Sequence, residues 1–299
     1  MTTEGYIIFA FDEKSTESEE IGEFKWTADE STTCTSIVDG QRCTILRCNP
    51  INESNTLLWT CLANGTFMCL SEDESKQTTF HRWNFRFDER HEEYHVHQSV
   101  SSYDQASDIV ESDGEYYTCI TVEINESVVA DLSKPDNPLI DDPWDAAKFK
   151  ISDQEIWLSK RVLGGHSPFF YNLFTKDFKE KAEDQYELKN IEMDQFIHFL
   201  ALVHDIRKPI DKNSVEYLLQ LGDEFMCKAV LNHCEDYLQS ADVKDIPLTK
   251  KFLLASYYKL DQLAMNCVDK MSINDLKSVP QSEISQFAKD LVLRKFSSF

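Results

Sequence analysis

The chain changes its hydrophobic rhythm once, and that change bounds what it can fold into. Up to about residue 125, short apolar runs alternate with polar residues. After Trp144, apolar residues recur at three- and four-residue intervals. Alternation puts one face of a strand in a core, and the longer interval puts one stripe of a helix there, so the two stretches belong to different architectures. At 299 residues the chain is also long enough for two cores.

The first stretch reads as an antiparallel β-sandwich over residues 1–127. Cys43 to Cys48 and Leu57 to Leu62 are strand-like runs. Asn64-Gly65 then predicts a hairpin turn into Thr66 to Leu70, because both turn residues tolerate positive φ. Trp83, Phe85 and Phe87 alternate with Asn84 and Arg86, and Asp113-Gly114 turns the chain into Tyr116 to Ile124. Residues 128–143 read as a linker. Pro135, Pro138 and Pro143 lie among turn formers there, and proline restricts both itself and its predecessor.

The second stretch opens with a short hairpin, Ala147 to Ile151 and Glu155 to Leu158, around a Ser152-Asp153-Gln154 turn. Helical faces follow. Phe196, Phe199, Leu200 and Val203 form one. Val215, Leu218, Leu219 and Phe225 form a second, with Asn213 as its N-cap and Glu216 completing a capping box. Val230, Leu231, Cys234 and Leu238 mark a third. Leu260, Leu263, Ala264, Cys267 and Met271 mark another, and Ile284, Phe287, Ala288, Leu291 and Phe296 the last. The fold class is therefore α+β: a sandwich over 1–127, a mainly helical domain over 144–240, and a helical extension over 241–299.

Composition excludes some functions. Against 30 Lys and Arg stand 53 Asp and Glu, a formal charge of −23. Affinity for nucleic acid comes mainly from cations that neutralise phosphates, so nucleic acid is not an expected partner, and an anionic membrane surface is disfavoured equally. The charge is uneven: residues 1–140 hold 27 acids and 9 bases, a net of −18, which leaves −5 for the remainder. A preference of the first half for basic protein substrates follows as an expectation. The longest early apolar run, Tyr6 to Phe11, has six residues and no basic segment ahead of it, so neither a membrane span nor an export signal is expected. The chain reads as cytoplasmic or nuclear. Its nine cysteines form no CxxC pair and are expected as free thiols. Three N-glycosylation sequons, at Asn52, Asn64 and Asn125, are then chance matches.

Two strings invite a catalytic reading. His91-Glu92-Glu93-Tyr94-His95 is a literal H-E-x-x-H, which on a helix would set two imidazoles on one face to bind zinc. It follows an alternating strand and has no apolar helical stripe around it, so a loop or strand edge is expected and no metal or cofactor is assigned. Gly164-Gly165-His166-Ser167 lacks the G-x-S-x-G elbow. It reads as a break between two short helices, with Ser167 as N-cap and Pro168 at the first helical position. No catalytic residue is assigned, and nucleotide-binding signatures are absent from the sequence.

Residues 145–240 resemble a BTB/POZ domain. The resemblance is carried by Asp145-Ala146-Ala147-Lys148-Phe149, by Leu158-Ser159-Lys160-Arg161-Val162-Leu163 and by Ser167-Pro168-Phe169-Phe170-Tyr171-Asn172-Leu173-Phe174. Leu218 to Phe225 and Cys234 to Leu238 continue it. Asp145, Ser167, Phe170 and Phe174 match family positions of structural weight. Ser159 stands where the family usually has His, and Gly222 where it usually has Ala. The resemblance implies a homodimer, with Val162, Leu163 and Phe169 as interface candidates. It also implies binding to cullin-3 through a hydrophobic-x-Glu motif, matched here by Phe178-Lys179-Glu180, and hence a substrate adaptor of a ubiquitin ligase. The alternative it leaves open is a BTB-dimerised scaffold without cullin affinity. The first half resembles the MATH sandwich on Phe24-Lys25-Trp26 and on Asp113-Gly114 with Thr121-Val122-Glu123-Ile124, which implies a substrate-receptor module.

Overall fold

The computed structural model describes residues 3–10, 18–31, 42–71, 77–89, 91–98, 116–176, 185–206, 208–280 and 282–297. The chain divides into two compact units, Met1–Asp131 and Leu132–Phe299.

The first unit is a sandwich of two antiparallel sheets. One contains β1 (Glu4–Ala10), β8 (Tyr116–Asp131), β5 (Leu57–Ser71) and β6 (Gln77–Phe87), in that order. The other runs β2 (Glu19–Ile21), β3 (Phe24–Ser31), β4 (Arg42–Pro50), β7 (Glu93–Gln98). Alternation sends Phe24, Trp26, Leu46 and Cys48 of one sheet against Trp59, Phe67, Trp83 and Phe87 of the other, in a single buried core. Trp26 meets Phe87 edge-on at 5.2 Å between ring centroids, a geometry that sets the ring edge of one against the π face of the other.

Two sequence expectations fail in this unit. Asn64-Gly65 is no hairpin turn, because β5 runs straight through it from Leu57 to Ser71. Asn64 pairs with Glu123 of β8 on one side and Asn84 of β6 on the other. Glycine is needed there for proximity: a Cβ at Gly65 would fall on the Thr121 carbonyl oxygen and 2.8 Å from the Trp83 indole nitrogen. The same residue type serves a turn and a close backbone approach, and the dipeptide alone does not separate them. Nor does the linker begin at residue 128. β8 continues to Asp131, with Leu57 to Leu62 as its partners, and Leu132 is fully buried in the second unit. A long central partner strand thus carries Val128, Val129 and Ala130 into the sheet before the prolines begin.

The second unit opens with the turn at Asn137, whose side-chain amide donates to the Lys134 and Trp157 carbonyls. The hairpin β9 (Ala146–Ile151) and β10 (Gln154–Ser159) follows, turning through Ser152 at φ 54°. β11 (Gln185–Leu188) joins β9 in parallel. The helices are α1 (Lys160–His166), α2 (Pro168–Thr175), α3 (Met193–Val203), α4 (Val215–Glu224) and α5 (Lys228–Ser240). After them come α6 (Leu248–Tyr258), α7 (Asp261–Lys270), α8 (Ile273–Ser278) and α9 (Gln286–Ser297). Most residues of the expected faces are buried, but Leu231, Leu291 and Phe296 are half-buried and Phe287 on α9 is exposed; Ala288 is buried as expected, with Val292 buried as well. The Asn213 cap is also corrected. Ser214 precedes α4, and Asp211 accepts from the Asn213 and Ser214 amides, so an Asx turn replaces the capping box. Glu216 instead pairs with Lys250 of α6 at 2.5 Å.

Candidate partner-binding surfaces

The α1–α2 break is built as its sequence suggests. Ser167 caps α2 by accepting from the Phe170 amide at 3.1 Å, and its hydroxyl donates to the Phe225 carbonyl. Ser167 is buried, so this hydroxyl has polar work that an apolar residue would leave undone. Phe170 is fully buried between Phe149, at 5.9 Å, and Phe225, at 4.8 Å. Phe174 lies 5.2 Å from Tyr186, which carries the cluster to β11. Phe225 in turn meets Phe199 of α3 at 5.3 Å. One aromatic cluster therefore fixes the hairpin sheet, α2 and α3 together.

Asp145 ties the start of β9 to the start of α1. Its carboxylate accepts from the Ser159 hydroxyl and from the Arg161 amide, the latter at 2.8 Å. Ser159 also accepts from the Val162 amide at 3.0 Å, so the serine found in place of the family's usual histidine is the N-cap of α1. Gly222 has a similar account. A Cβ there would sit 3.0 Å from Leu231, tighter than the α4–α5 seam accommodates without adjustment.

Of the three dimer-interface candidates, Leu163 is buried within its own chain, while Val162 and Phe169 are half-buried and have surface to offer. Phe169 packs on Phe225 at 5.3 Å, so its position is fixed by the aromatic cluster. Tyr171, on the same helix, is 58% exposed. Phe178 and Glu180 lie in 177–184, outside the described residues, between the end of α2 and the start of β11.

In the first unit the outer face of the β1–β8–β5–β6 sheet holds an open cleft of about 790 Å³, floored by Gly65 and edged by Glu4, Tyr6, Arg82 and Glu123. Its size is in the range of ordinary ligand sites. Spacing gave no signal for it, because its walls come from strands more than a hundred residues apart in the chain. On the other sheet's outer face a polar chain runs from Asp29 through Arg47 and Glu93 to His95. The Arg47 guanidinium, hydrogen-bonded to Glu93 at 2.8 Å, holds that carboxyl below the usual carboxylate range. The H-E-x-x-H string thus lies partly in a strand. His95 contacts Glu93, and His91 contacts Asp88.

Residues 144–242 match the BTB/POZ domain. This stretch is a BTB/POZ domain. Curated relatives extend the likeness beyond it. BTB and MATH domain-containing protein 38 of Caenorhabditis elegans is 26% identical over 260 residues, which cover 83% of this chain and 65% of that protein. BTB and MATH domain-containing protein 15 of the same organism is 25% identical over 122 residues, 41% of this chain and 44% of its own length. Kelch repeat and BTB domain-containing protein 1 of Ectromelia virus shares 25% over 88 residues, 29% of this chain and 16% of that protein. The chain thus spans less than two thirds of the length of these relatives. The first two names pair a BTB with a MATH domain, and this chain carries a sandwich ahead of its BTB domain.

Proposed function

We propose that the protein is a dimeric, non-catalytic adaptor of a cullin-3 ubiquitin ligase. In this reading the BTB domain dimerises and binds cullin through Phe178 and Glu180, and the N-terminal sandwich holds a protein substrate. The observation that carries it is the pairing of a BTB domain with a sandwich in one chain, with curated relatives whose names pair BTB and MATH domains in support. Val162 and Phe169 are the dimer residues with exposed surface. The net charge of the first half, −18 by the count above, favours a basic substrate segment, and two carboxylates of the cleft, Glu4 and Glu123, suit one. A dimer presents two sandwiches, so a substrate with repeated motifs gains avidity. No described helix is long and apolar enough to cross a membrane.

The test is co-purification of the full chain with cullin-3, repeated with Phe178→Ala plus Glu180→Ala. Retention by the wild type and loss in the double variant is the expected result. A dimer that binds no cullin selects the scaffold reading instead.

A further inference from the structure

The second unit holds a small cavity that the adaptor reading does not use. It lies among α5, α6 and α7 and has a volume of about 80 Å³. A water's share of liquid volume is about 30 Å³, so the space suits two or three waters or one tetrahedral oxyanion. Leu238 and Gln239 at the end of α5, Leu248 and Lys251 at the start of α6, and Asn266 and Lys270 on α7 line it. Leu263, Asn266, Cys267 and Lys270 fall at i, i+3, i+4 and i+7, so one face of α7 forms a wall.

Lys251 is the unusual member. It is only 4% exposed, and lysine is almost never fully buried unless paired. Its ammonium donates to the Ala241 carbonyl at 2.5 Å, at the end of α5, where the helix dipole favours a cation. An ammonium has three N–H groups, so two remain. Among the described residues neither Lys251 nor Lys270 forms an ion pair with a carboxylate. Burial holds the Lys251 ammonium below the usual lysine range, and the Lys270 charge acts in the same direction. Asp242 acts against them, but it does not line the cavity, and its carboxylate accepts from the Lys244 amide at 2.8 Å. The Cys267 thiol is pushed up to about 11, first by burial, so it stays neutral and supplies no counter-charge.

The rest of the lining points the same way. Asn266 Oδ1 accepts from Gln262 Nε2 at 3.4 Å, which leaves the Asn266 amide protons uncommitted. α6 begins with no side-chain cap and no acid in its first turn, so the positive end of its dipole is unanswered beside Leu248. Two ammonium groups, an amide donor and a helix start thus surround a space that no carboxylate lines.

We propose that this cavity is a phosphate site, in which Lys251, Lys270 and the Asn266 amide hold one phosphate group, free or at the end of a small ester. A phosphate monoester carries about −1.5 to −2 charge and three acceptor oxygens at pH 7, so it answers two ammonium groups where a carboxylate answers one. Charge-assisted hydrogen bonds of this kind are the strong ones. A bound phosphate ties the ends of α5 and α7 to the start of α6.

The full chain, in buffer free of phosphate and sulfate, is titrated by calorimetry with inorganic phosphate and, separately, with glycerol 2-phosphate. One site per chain is expected, with a rise in the melting temperature of the second unit. Tighter binding of inorganic phosphate identifies the free ion as the ligand, and tighter binding of glycerol 2-phosphate identifies an ester; either supports the site. Lys251→Met removes the charge at similar length and should weaken binding at least tenfold. Lys270→Gln should weaken it about three- to tenfold, and Lys277→Gln, on the surface outside the cavity, should leave it unchanged. Far-ultraviolet circular dichroism checks the fold of each variant. Lys270 is exposed, so Lys270→Gln supplies the result if Lys251→Met does not fold. No binding of either anion at about 10 mM, binding unchanged in Lys270→Gln or in folded Lys251→Met, or an equal loss in Lys277→Gln overturns the proposal. None of these outcomes bears on cullin binding.

Discussion

The two units bury aromatic residues by different means. In the sandwich, Trp26, Trp59, Trp83 and Phe87 come from strands distant in sequence, and each is placed by its ladder. In the BTB domain, Phe170, Phe174 and Phe196 sit on short helices and Phe225 just past the end of α4, and their cluster does the placing. The sandwich also carries most of the charge. Met1–Asp131 holds 26 acids and 8 bases, a net of −18, against −5 for Leu132–Phe299. One unit is therefore governed by register and repulsion, the other by packing around a few rings. A local change should act accordingly: backbone crowding should harm the first unit most, and lost side-chain volume the second.

The largest effect expected is that of Phe170→Ala, which empties the centre of the aromatic cluster. It should lower the stability of the BTB unit by about 3–5 kcal/mol while the sandwich transition is unchanged, as read by calorimetry of the full chain. Gly65→Ala should do the reverse. Its new methyl meets the Thr121 carbonyl, so β5 and β8 must separate, at a cost of about 3 kcal/mol to the sandwich alone. Equal losses in both transitions from either variant would break the comparison.

Acid should distinguish the units next. His204, at the end of α3, is pushed down to about 4 from 6.5, first by burial and then by the nearby His166. Its folded form stays neutral while the unfolded chain takes up a proton, so the BTB unit is unaffected above pH 6.5 and loses stability as pH falls from there toward 4. The loss should approach about 2 kcal/mol after allowance for partial exposure, and His204→Gln should abolish that part of the pH dependence. The smallest effect is that of salt. Raising ionic strength from about 0.01 to 0.15 M should stabilise the sandwich by less than about 1 kcal/mol and leave the BTB unit nearly unmoved.

Much of this was legible in the sequence because it rests on short-range periodicity. Trp83, Phe85 and Phe87 announce a strand by alternation, and Ser167-Pro168 announces a helix start by its cap chemistry. What was missed depends on neighbours far along the chain. Asn64-Gly65 has the composition of a turn, and only the strands on either side of β5 turn it into a close approach. The β8 tail after Ile124 looks like loop until Leu57 to Leu62 are set beside it. Asn213 and Asp211 both offer capping oxygens, and only geometry selects between them. The Cys43–His95 contact joins residues 52 apart, whose proximity follows from the register of two strands and from nothing local. The unexpected burial of Leu163 has the same origin: a motif gives a position, and packing decides which way it faces.

The pairing of β1 with β8 has a consequence for synthesis. Ile7 hydrogen-bonds beside Ile120, so the opening strand has no sheet to join until more than a hundred further residues have been made. The sandwich cannot close on a ribosome before β8 has emerged, and by then the start of the BTB unit is already in the exit tunnel. Until that moment a strand bearing Ile7 and Ile8 is unpaired along both of its edges, open to other chains. The acids that crowd this half put a like charge on every such nascent chain, so that neighbours on one message repel each other during the interval when they are most able to pair wrongly.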